Sequence, residues 1–257
     1  MSIIYNIENK IAYITIDRPD VLNSLDYQTL RGLEEAVQEA HINKDVQVVI
    51  FTGAGTNAFS AGADLKERKT LNDQQVRRNV KKISSVFKQI SELPMPTIAA
   101  INGHAFGGGF ELALACDFRI ATPQLKLGLT ETSMGIIPGA GGTQRLPRLI
   151  GVANAMELIL TARKITAEEA FEYGILNRLV EPEKLLASCK ELAEEISKNA
   201  PVAVRQAKFA INQGLSADMD TGLKIEEKAY ELTIPTKDRV EALQAFEEKR
   251  RPVFLGE

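Results

Sequence analysis

Short apolar runs of strand length alternate with segments of helical period, and this alternation restricts the fold more than any other property of the sequence. The runs are "IAYITI", "VQVVIF" and "PTIAAI". Between them lie helical patterns over residues 25–40 and 80–90, the latter with Ile83, Val86, Phe87 and Ile90 spaced along one helix face. Strands that alternate with helices in this way predict α/β architecture with parallel pairing. The opening "MSIIYNIENKIAYITIDRP" reads as two short alternating strands around Asn9 and Lys10. From about Gly142 the pattern becomes mostly helical, punctuated by Gly151, Gly174 and Gly214, with Pro182 and Pro201 suited to helix starts. The expected organisation is an α/β core over residues 1–200 and a helical C-terminal region over residues 201–257.

Composition excludes some function classes. The 257 residues carry a formal net charge of −3, so no global basic bias draws the chain to nucleic acid or an anionic membrane. No apolar run approaches the roughly 18 residues of a membrane span. The N-terminus lacks the basic start and long apolar run of a signal peptide, which predicts a cytoplasmic location. The two cysteines, Cys116 and Cys189, make no disulfide framework, and Cys116 reads as a small core residue.

Three segments combine glycines with an isolated acid or a small-residue loop. In "HAFGGGFELALACD" the glycines at a helix start suggest an anion site, where free N–H groups and the helix dipole converge. Yet Glu111 sits in the first turn and would repel a phosphate. In "VIFTGAGTNAFSAGADLKE" the stretch from Gly53 to Ala58 nearly matches a dinucleotide fingerprint, but residues 59–63 are expected to continue as loop rather than open a helix. The small residues of "SAGAD" allow a ligand to lie against the backbone with N–H donors available, and would serve a tight turn equally well. In "LGLTETSMGIIPGAGGTQRLPRLIG", Glu131 is embedded among uncharged neighbours, which disfavour ionisation and suit a proton donor or acceptor near neutrality. Taken singly, Glu111 could complement the helix dipole and Glu131 could be an ordinary loop acid.

Subtraction narrows the chemistry further. His41 and His104 are the only histidines, no Cys or His pair has metal-ligand spacing, and neither a nucleophile elbow nor a phosphate-binding loop motif occurs. What remains is a site of backbone N–H groups and carboxylates, able to polarise a carbonyl and move protons beside it. The basic runs at Arg77, Arg78, Lys81 and Lys82, and at Lys249, Arg250 and Arg251, read as solvated faces, although a phosphate-bearing ligand could use one of them.

In this order, "RPDVLNSL", "AFSAGADLKE", "INGHAFGGGFELALACD" and "GIIPGAGGTQRLPRLIG" resemble the crotonase (enoyl-CoA hydratase/isomerase) superfamily, and the resemblance spans essentially the whole chain. It implies a crotonase-like spiral of ββα repeats, with C-terminal helices that mediate assembly into a homotrimer or a hexamer built as a dimer of trimers. The implied activity is addition of water across the double bond of a 2-enoyl-CoA thioester, an acyl-CoA substrate of which coenzyme A is a part, with no metal or other cofactor. The family pattern places oxyanion-hole N–H groups at Ala63 and Gly108, and matches Glu111 and Glu131 to the two glutamates that activate water and deliver a proton. Ala61, Asp64, Leu65 and Lys66 match the segment lining the CoA and acyl path. Gly139 matches a backbone position beside the reacting centre, and Phe246 and Lys249 match C-terminal positions that can reach CoA, across a subunit boundary in some members. The isomerase branch typically needs only one of the two glutamates, so keeping both favours hydratase.

"GADLKER", "APVAVRQAKFAINQG" and the C-terminal segment look like the methylglutaconyl-CoA hydratase branch, whose mammalian member also binds AU-rich RNA. The lysine comb implicated there corresponds to Tyr27, Arg31 and Glu35. With one positive and one negative charge left in it, the comb argues against nucleic acid as a partner.

Overall fold

The computed structural model describes residues 2–257. Strands β1 (Ile3–Glu8) and β2 (Ile11–Ile16) form an antiparallel hairpin. Its turn, Asn9 and Lys10, has positive φ at both residues, the geometry that matches the twist of two-residue hairpins. Helix α1 (Tyr27–Ile42) starts two residues later than its apolar pattern suggests, because Asp26 caps it by accepting from the Thr29 N–H. Next come β3 (Val48–Gly53), β4 (Ala58–Ser60), α2 (Leu65–Arg68) and α3 (Asp73–Ser91). These are followed by β5 (Thr97–Ile101), β6 (His104–Phe106), α4 (Gly108–Ala115), β7 (Phe118–Ala121) and β8 (Lys126–Gly128). The remainder contains α5 (Gly142–Ile150), α6 (Val152–Leu160), β9 (Ile165–Thr166), α7 (Ala167–Glu172), β10 (Arg178–Leu179) and α8 (Leu185–Ser197). Helices α9 (Pro201–Gly214), α10 (Met219–Glu231) and α11 (Lys237–Glu247) complete the described chain.

The chain winds by stepping between two sheets. A six-stranded sheet has the order β1-β2-β3-β5-β7-β10, parallel throughout except for the first pair. A four-stranded sheet has the order β4-β6-β8-β9, in which β4, β6 and β8 are parallel and β9 is antiparallel. Each lap therefore adds one strand to the large sheet, then one to the small sheet, and returns through helix, which is the ββα spiral. The laps escape notice as a sequence repeat because their helices differ so much in length, 19 residues in α3 against 8 in α4.

The middle of the large sheet, β2, β3 and β5, is buried on both faces, which accounts for the nearly continuous apolar runs of these strands. Ala12, Ile14, Val49, Phe51, Ala99 and Ile101 join the main core. The alternate residues Ile11, Val48, Ile50, Ile98 and Ile120 pack under Leu185, Cys189 and Ala193 of α8. Cys116 and Cys189 are both buried free thiols, pushed up to about 12 by burial.

Two local expectations are corrected. Residues 59 and 60 are strand, not loop, and a single helical turn follows at Leu65. Helix α3 begins at Asp73 rather than near residue 80, under a capping box between Asn72 and Gln75. Its first turns carry polar residues to solvent, so apolar spacing could not reveal them.

Candidate active site

Because β4, β6 and β8 run parallel, their C-terminal ends share one edge of the small sheet. The linkers leaving that edge are residues 61–64, 107–108 and 129–131, so the three glycine-and-acid segments meet there although they are far apart in sequence. Ligands of open parallel sheets commonly bind outside strand C-termini for this reason.

Backbone approaches backbone at this edge, and glycine makes it possible. A Cβ on Gly109 would lie 2.0 Å from the Ser60 carbonyl oxygen. Gly62, at φ +83°, would place one 2.7 Å from the Phe106 oxygen and 2.8 Å from the Gly108 nitrogen. The exits of β4 and β6 are therefore in direct contact, with the Ala63 nitrogen 3.7 Å from where a Cβ of Gly108 would stand. Neither the Ala63 N–H nor the Gly108 N–H donates to any group among the described residues. Gly108 opens α4, where the helix itself supplies no acceptor. Two neighbouring donors are thus left free, beside the positive end of a helix.

Residues 22–25 fasten the first donor loop from outside. The Asn23 side-chain amide donates to the carbonyls of Ala54 (2.9 Å) and Ala58 (2.7 Å), and the Ser60 hydroxyl donates to the Asn23 carbonyl at 2.8 Å. The Ala61 N–H donates to Leu22, the Leu25 N–H to Gly62 and the Asp64 N–H to Leu25.

Glu111 lies in the first turn of α4 and is 3% exposed. Its Oε1 accepts from the N–H groups of Ala140 and Gly142, both at 2.8 Å, across the glycine-rich loop before α5. Burial lifts its carboxyl above the ordinary range, opposed by these two N–H groups and by Arg145. Arg145 also donates to the Ala140 carbonyl at 2.9 Å and so steadies the peptide segment that holds Glu111. Glu131 opens a 3-10 turn just past β8. Its Oε1 would stand 3.1 Å from a Cβ on Gly107, which puts the acid directly against the start of α4. Its Oε2 is buried and has no hydrogen-bond partner among the described residues. Burial, and then the charge of Glu111, push the Glu131 carboxyl up to about 7. The charge of Glu111 thus helps Glu131 to hold a proton near neutrality.

Next to the donors opens a pocket walled by Leu25, Leu30, Ala63, Leu71, Val76, Val80 and Ile83, with Asp64, Glu67, Arg68 and Asn79 as its polar lining. Ile83 Cδ1 would lie 3.0 Å from a Cβ on Gly108, so this wall adjoins the donor pair.

The other residues named from sequence fall into different places. Ala61 is half-buried in the donor loop, and Gly139 is exposed, with its Cα side turned to Val80 of the pocket wall. Asp64 is buried and engaged: it caps α2 through the N–H groups of Lys66 and Glu67 and accepts from Ser24 and Arg18. Burial acts upward on its carboxyl, but these bonds outweigh it and leave the group below the usual range. Leu65 and Lys66 are exposed at the rim. Phe246, in the last turn of α11, is 83% exposed, and Lys249, just past that helix, is exposed as well. Sequence reading passed over Asn23, Arg145 and Arg68. Asn23 reads as a turn residue and Arg145 as the polar side of an amphipathic helix, so only the fold shows what they hold.

The model of the enoyl-CoA hydratase/isomerase family matches residues 6–257. YngF of Bacillus subtilis, named for the same hydratase/isomerase family, is 55% identical over 256 residues, covering 99% of this chain and 98% of its own. The human mitochondrial methylglutaconyl-CoA hydratase is 47% identical over 255 residues, covering 97% of this chain and 75% of its own. A crystal structure of enoyl-CoA hydratase from Bacillus anthracis superposes with a TM-score of 0.98 at 50% identity, covering all of both chains.

Proposed function

The chain belongs to the enoyl-CoA hydratase/isomerase family, and on that premise we propose that it adds water across the C2=C3 bond of a 2-enoyl-CoA thioester. The observation that carries this reading is the pairing of two acids, buried Glu111 and half-buried Glu131, both with raised carboxyls, with two free N–H groups on one sheet edge. The thioester oxygen accepts from Ala63 and Gly108. The water oxygen bonds to C3, the π electrons of C2=C3 move through C1 onto the thioester oxygen, and the resulting enolate is stabilised by the two donors. One proton of the water goes to a carboxylate, and C2 takes a proton from a carboxylic acid, so the product is the 3-hydroxyacyl thioester and the pair regains its starting proton count.

The hydrogen bonds divide the duties. Glu111, with two N–H groups on one oxygen, is the member favoured as carboxylate and orients the water. Glu131, with an orphaned buried oxygen, is the member favoured as acid. A donor of the Ala63 or Gly108 kind is typically worth about 10²- to 10³-fold in rate. Being backbone, neither can be deleted by changing its own side chain.

Both acids favour hydration over double-bond isomerisation, for which one acid suffices in the isomerase branch. Arg31 of the residual RNA-binding comb pairs with Glu35 at 3.6 Å, which favours an enzyme over an RNA-binding protein. Assembly into trimers would cover the apolar residues that the last helices leave exposed, among them Ile211, Leu215, Met219 and Leu223. It would also bring Phe246 and Lys249 of one subunit towards the CoA of another. Incubation with crotonyl-CoA should remove the conjugated thioester absorbance. Absence of loss across straight, branched and carboxylated 2-enoyl-CoA substrates would sink the hydratase reading.

A further inference from the structure

The two N–H groups on Glu111 come from peptides that flank a third, the one joining Ala140 to Gly141. The N–H of Ala140 belongs to the peptide before it and that of Gly142 to the peptide after it, so the orientation of the middle unit sets the aim of both. Ala140 is buried, and its carbonyl accepts from no backbone N–H among the described residues. Its donor is Arg145, through Nη1 at 2.9 Å. The guanidinium lies so close against the loop that a Cβ on Gly141, at φ +107°, would stand 2.0 Å from Nη1. Nη2 reaches the end of α3, donating to the Ser91 hydroxyl at 3.2 Å and to the Phe87 carbonyl at 3.5 Å. Ser91 is free to accept because its own hydroxyl proton goes to the Lys88 carbonyl, at 2.9 Å. A path of polar contacts thus runs from Ser91 through Arg145 and Ala140 to Oε1 of Glu111. Its anchor, α3, is also the helix that supplies Val76, Val80 and Ile83 to the pocket wall.

All three acceptors of Arg145 are neutral oxygens, for which a neutral donor would serve at a lower cost of burial. What the positive charge adds is its action on Glu111. Burial draws the Arg145 guanidinium down, and of the charged groups Glu111 opposes this most. Burial lifts the Glu111 carboxyl, and after its two N–H donors Arg145 opposes the rise. The other charged neighbour is Glu131, on the turn past β8, whose carboxyl Glu111 pushes up. We propose that Ser91 and Arg145 are positioning residues for hydration: they hold the Ala140–Gly141 peptide to the end of α3, and through its neighbours fix Glu111 where it receives the water. The role rests on the hydratase reading for what Glu111 does, whereas the path of contacts does not.

Hydration of crotonyl-CoA by the intact protein, followed across pH, tests the path. Arg145→Met should lower kcat by about 10²-fold, the scale of a displaced reacting group. It should also move the acidic limb of kcat/KM to higher pH, because Glu111 then keeps its proton longer. Arg145→Lys should leave the limb in place and keep only part of kcat, since an ammonium retains the charge but cannot fork between Ala140 and Ser91. Ser91→Ala should lower kcat about 3- to 10-fold, the range of one net hydrogen bond, without moving the limb, and Ser91→Thr should restore it. Calorimetric titration with butyryl-CoA, a saturated thioester that cannot be hydrated, should give unchanged affinity and stoichiometry in these variants. Wild-type kcat in both Ser91→Ala and Arg145→Lys would overturn the proposal, as would a fall in kcat that only follows a fall in butyryl-CoA stoichiometry. NMR titration of isotopically labelled glutamate carboxyls, with Glu111→Gln to assign the signal, separates the proposal from the hydratase reading. An upward move of the Glu111 signal in Arg145→Met, without hydration of any enoyl-CoA by the wild type, would remove the hydratase and keep the path. Crotonyl-CoA hydration by the wild type, with a Glu111 signal indifferent to Arg145→Met, would do the reverse.

Discussion

Glu111 and Glu131 are the same chemical group in two differently built places. Glu111 is fixed to a helix, enclosed, and received on one oxygen by two peptide N–H groups. Glu131 stands on a 3-10 turn, more open, with one oxygen enclosed and unbonded. Burial pushes both upward, so burial alone cannot assign their roles. The difference lies in what each oxygen meets: N–H groups favour the charged form, and an empty environment favours the neutral one. The comparison teaches that backbone geometry, rather than residue type, sets these two carboxyls apart, and under the proposed mechanism it would divide acid from water-orienting base.

The largest effect expected from breaking the pair is on turnover. Glu111→Gln should retain the acceptor for Ala140 and Gly142 but lose the carboxylate, lowering kcat by roughly 10³-fold, within the range of general acid–base catalysis. Glu131→Gln should lower kcat by roughly 10²- to 10³-fold on the same grounds. Near-normal crotonyl-CoA hydration by either variant would remove that residue from the mechanism. A smaller effect concerns pH. With Glu131 near about 7 and acting as the acid, kcat/KM should decline as pH rises through that value, because the proton to be delivered is gone. Arg68→Met should move this limb upward, since Arg68 holds Glu131 down. A limb at the same pH in both proteins would show that another group governs it.

The smallest effect is on stability. Unfolded, the Glu131 carboxyl loses its proton near the ordinary glutamate value of 4.5, whereas folded it keeps the proton up to about 7. The folded state therefore binds more protons between those values, and the contribution of this group is most favourable below the lower value and falls as pH rises to the upper one. Half-burial and solvent screening discount the full conversion, leaving a loss of about 1–2 kcal/mol. Urea unfolding at about pH 5 and about pH 8 should show that Glu131→Gln flattens this slope. An equal slope in wild type and variant would place the Glu131 carboxyl at its ordinary value.

Much of this was readable from sequence for identifiable physical reasons. The central strands β2, β3 and β5 of the large sheet declared themselves because burial makes them nearly continuous apolar runs, and the three glycine-rich segments because close backbone approach tolerates little else, whereas the short β7 and β10 did not. The short strand at Ala58–Ser60 stayed hidden because three residues are too few to show a period. The polar start of α3 stayed hidden because caps and solvent, not apolar contacts, define it. At the site, Glu111 and Glu131 stood out as acids among uncharged neighbours. That Glu111 accepts from the Ala140 and Gly142 N–H groups and Glu131 from neither depends on the path of residues 138–142, which composition does not encode. Arg68 was passed over for the opposite reason: in "GADLKER" it sits among three other charged residues.

The strap at residues 22–25 carries one more consequence. The donor loop is held by partners from an earlier stretch of chain, such as the Ala61 N–H on Leu22 and the Asn23 amide on Ala54 and Ala58, so its shape is not a local property of the loop. A loop supported only by its own turns could loosen while the rest of the molecule stayed intact. Here the alignment of the reacting groups is tied to closure of a long chain segment onto the sheets. Catalytic competence and global cooperativity should then be lost together on heating, with inactivation and unfolding sharing one transition.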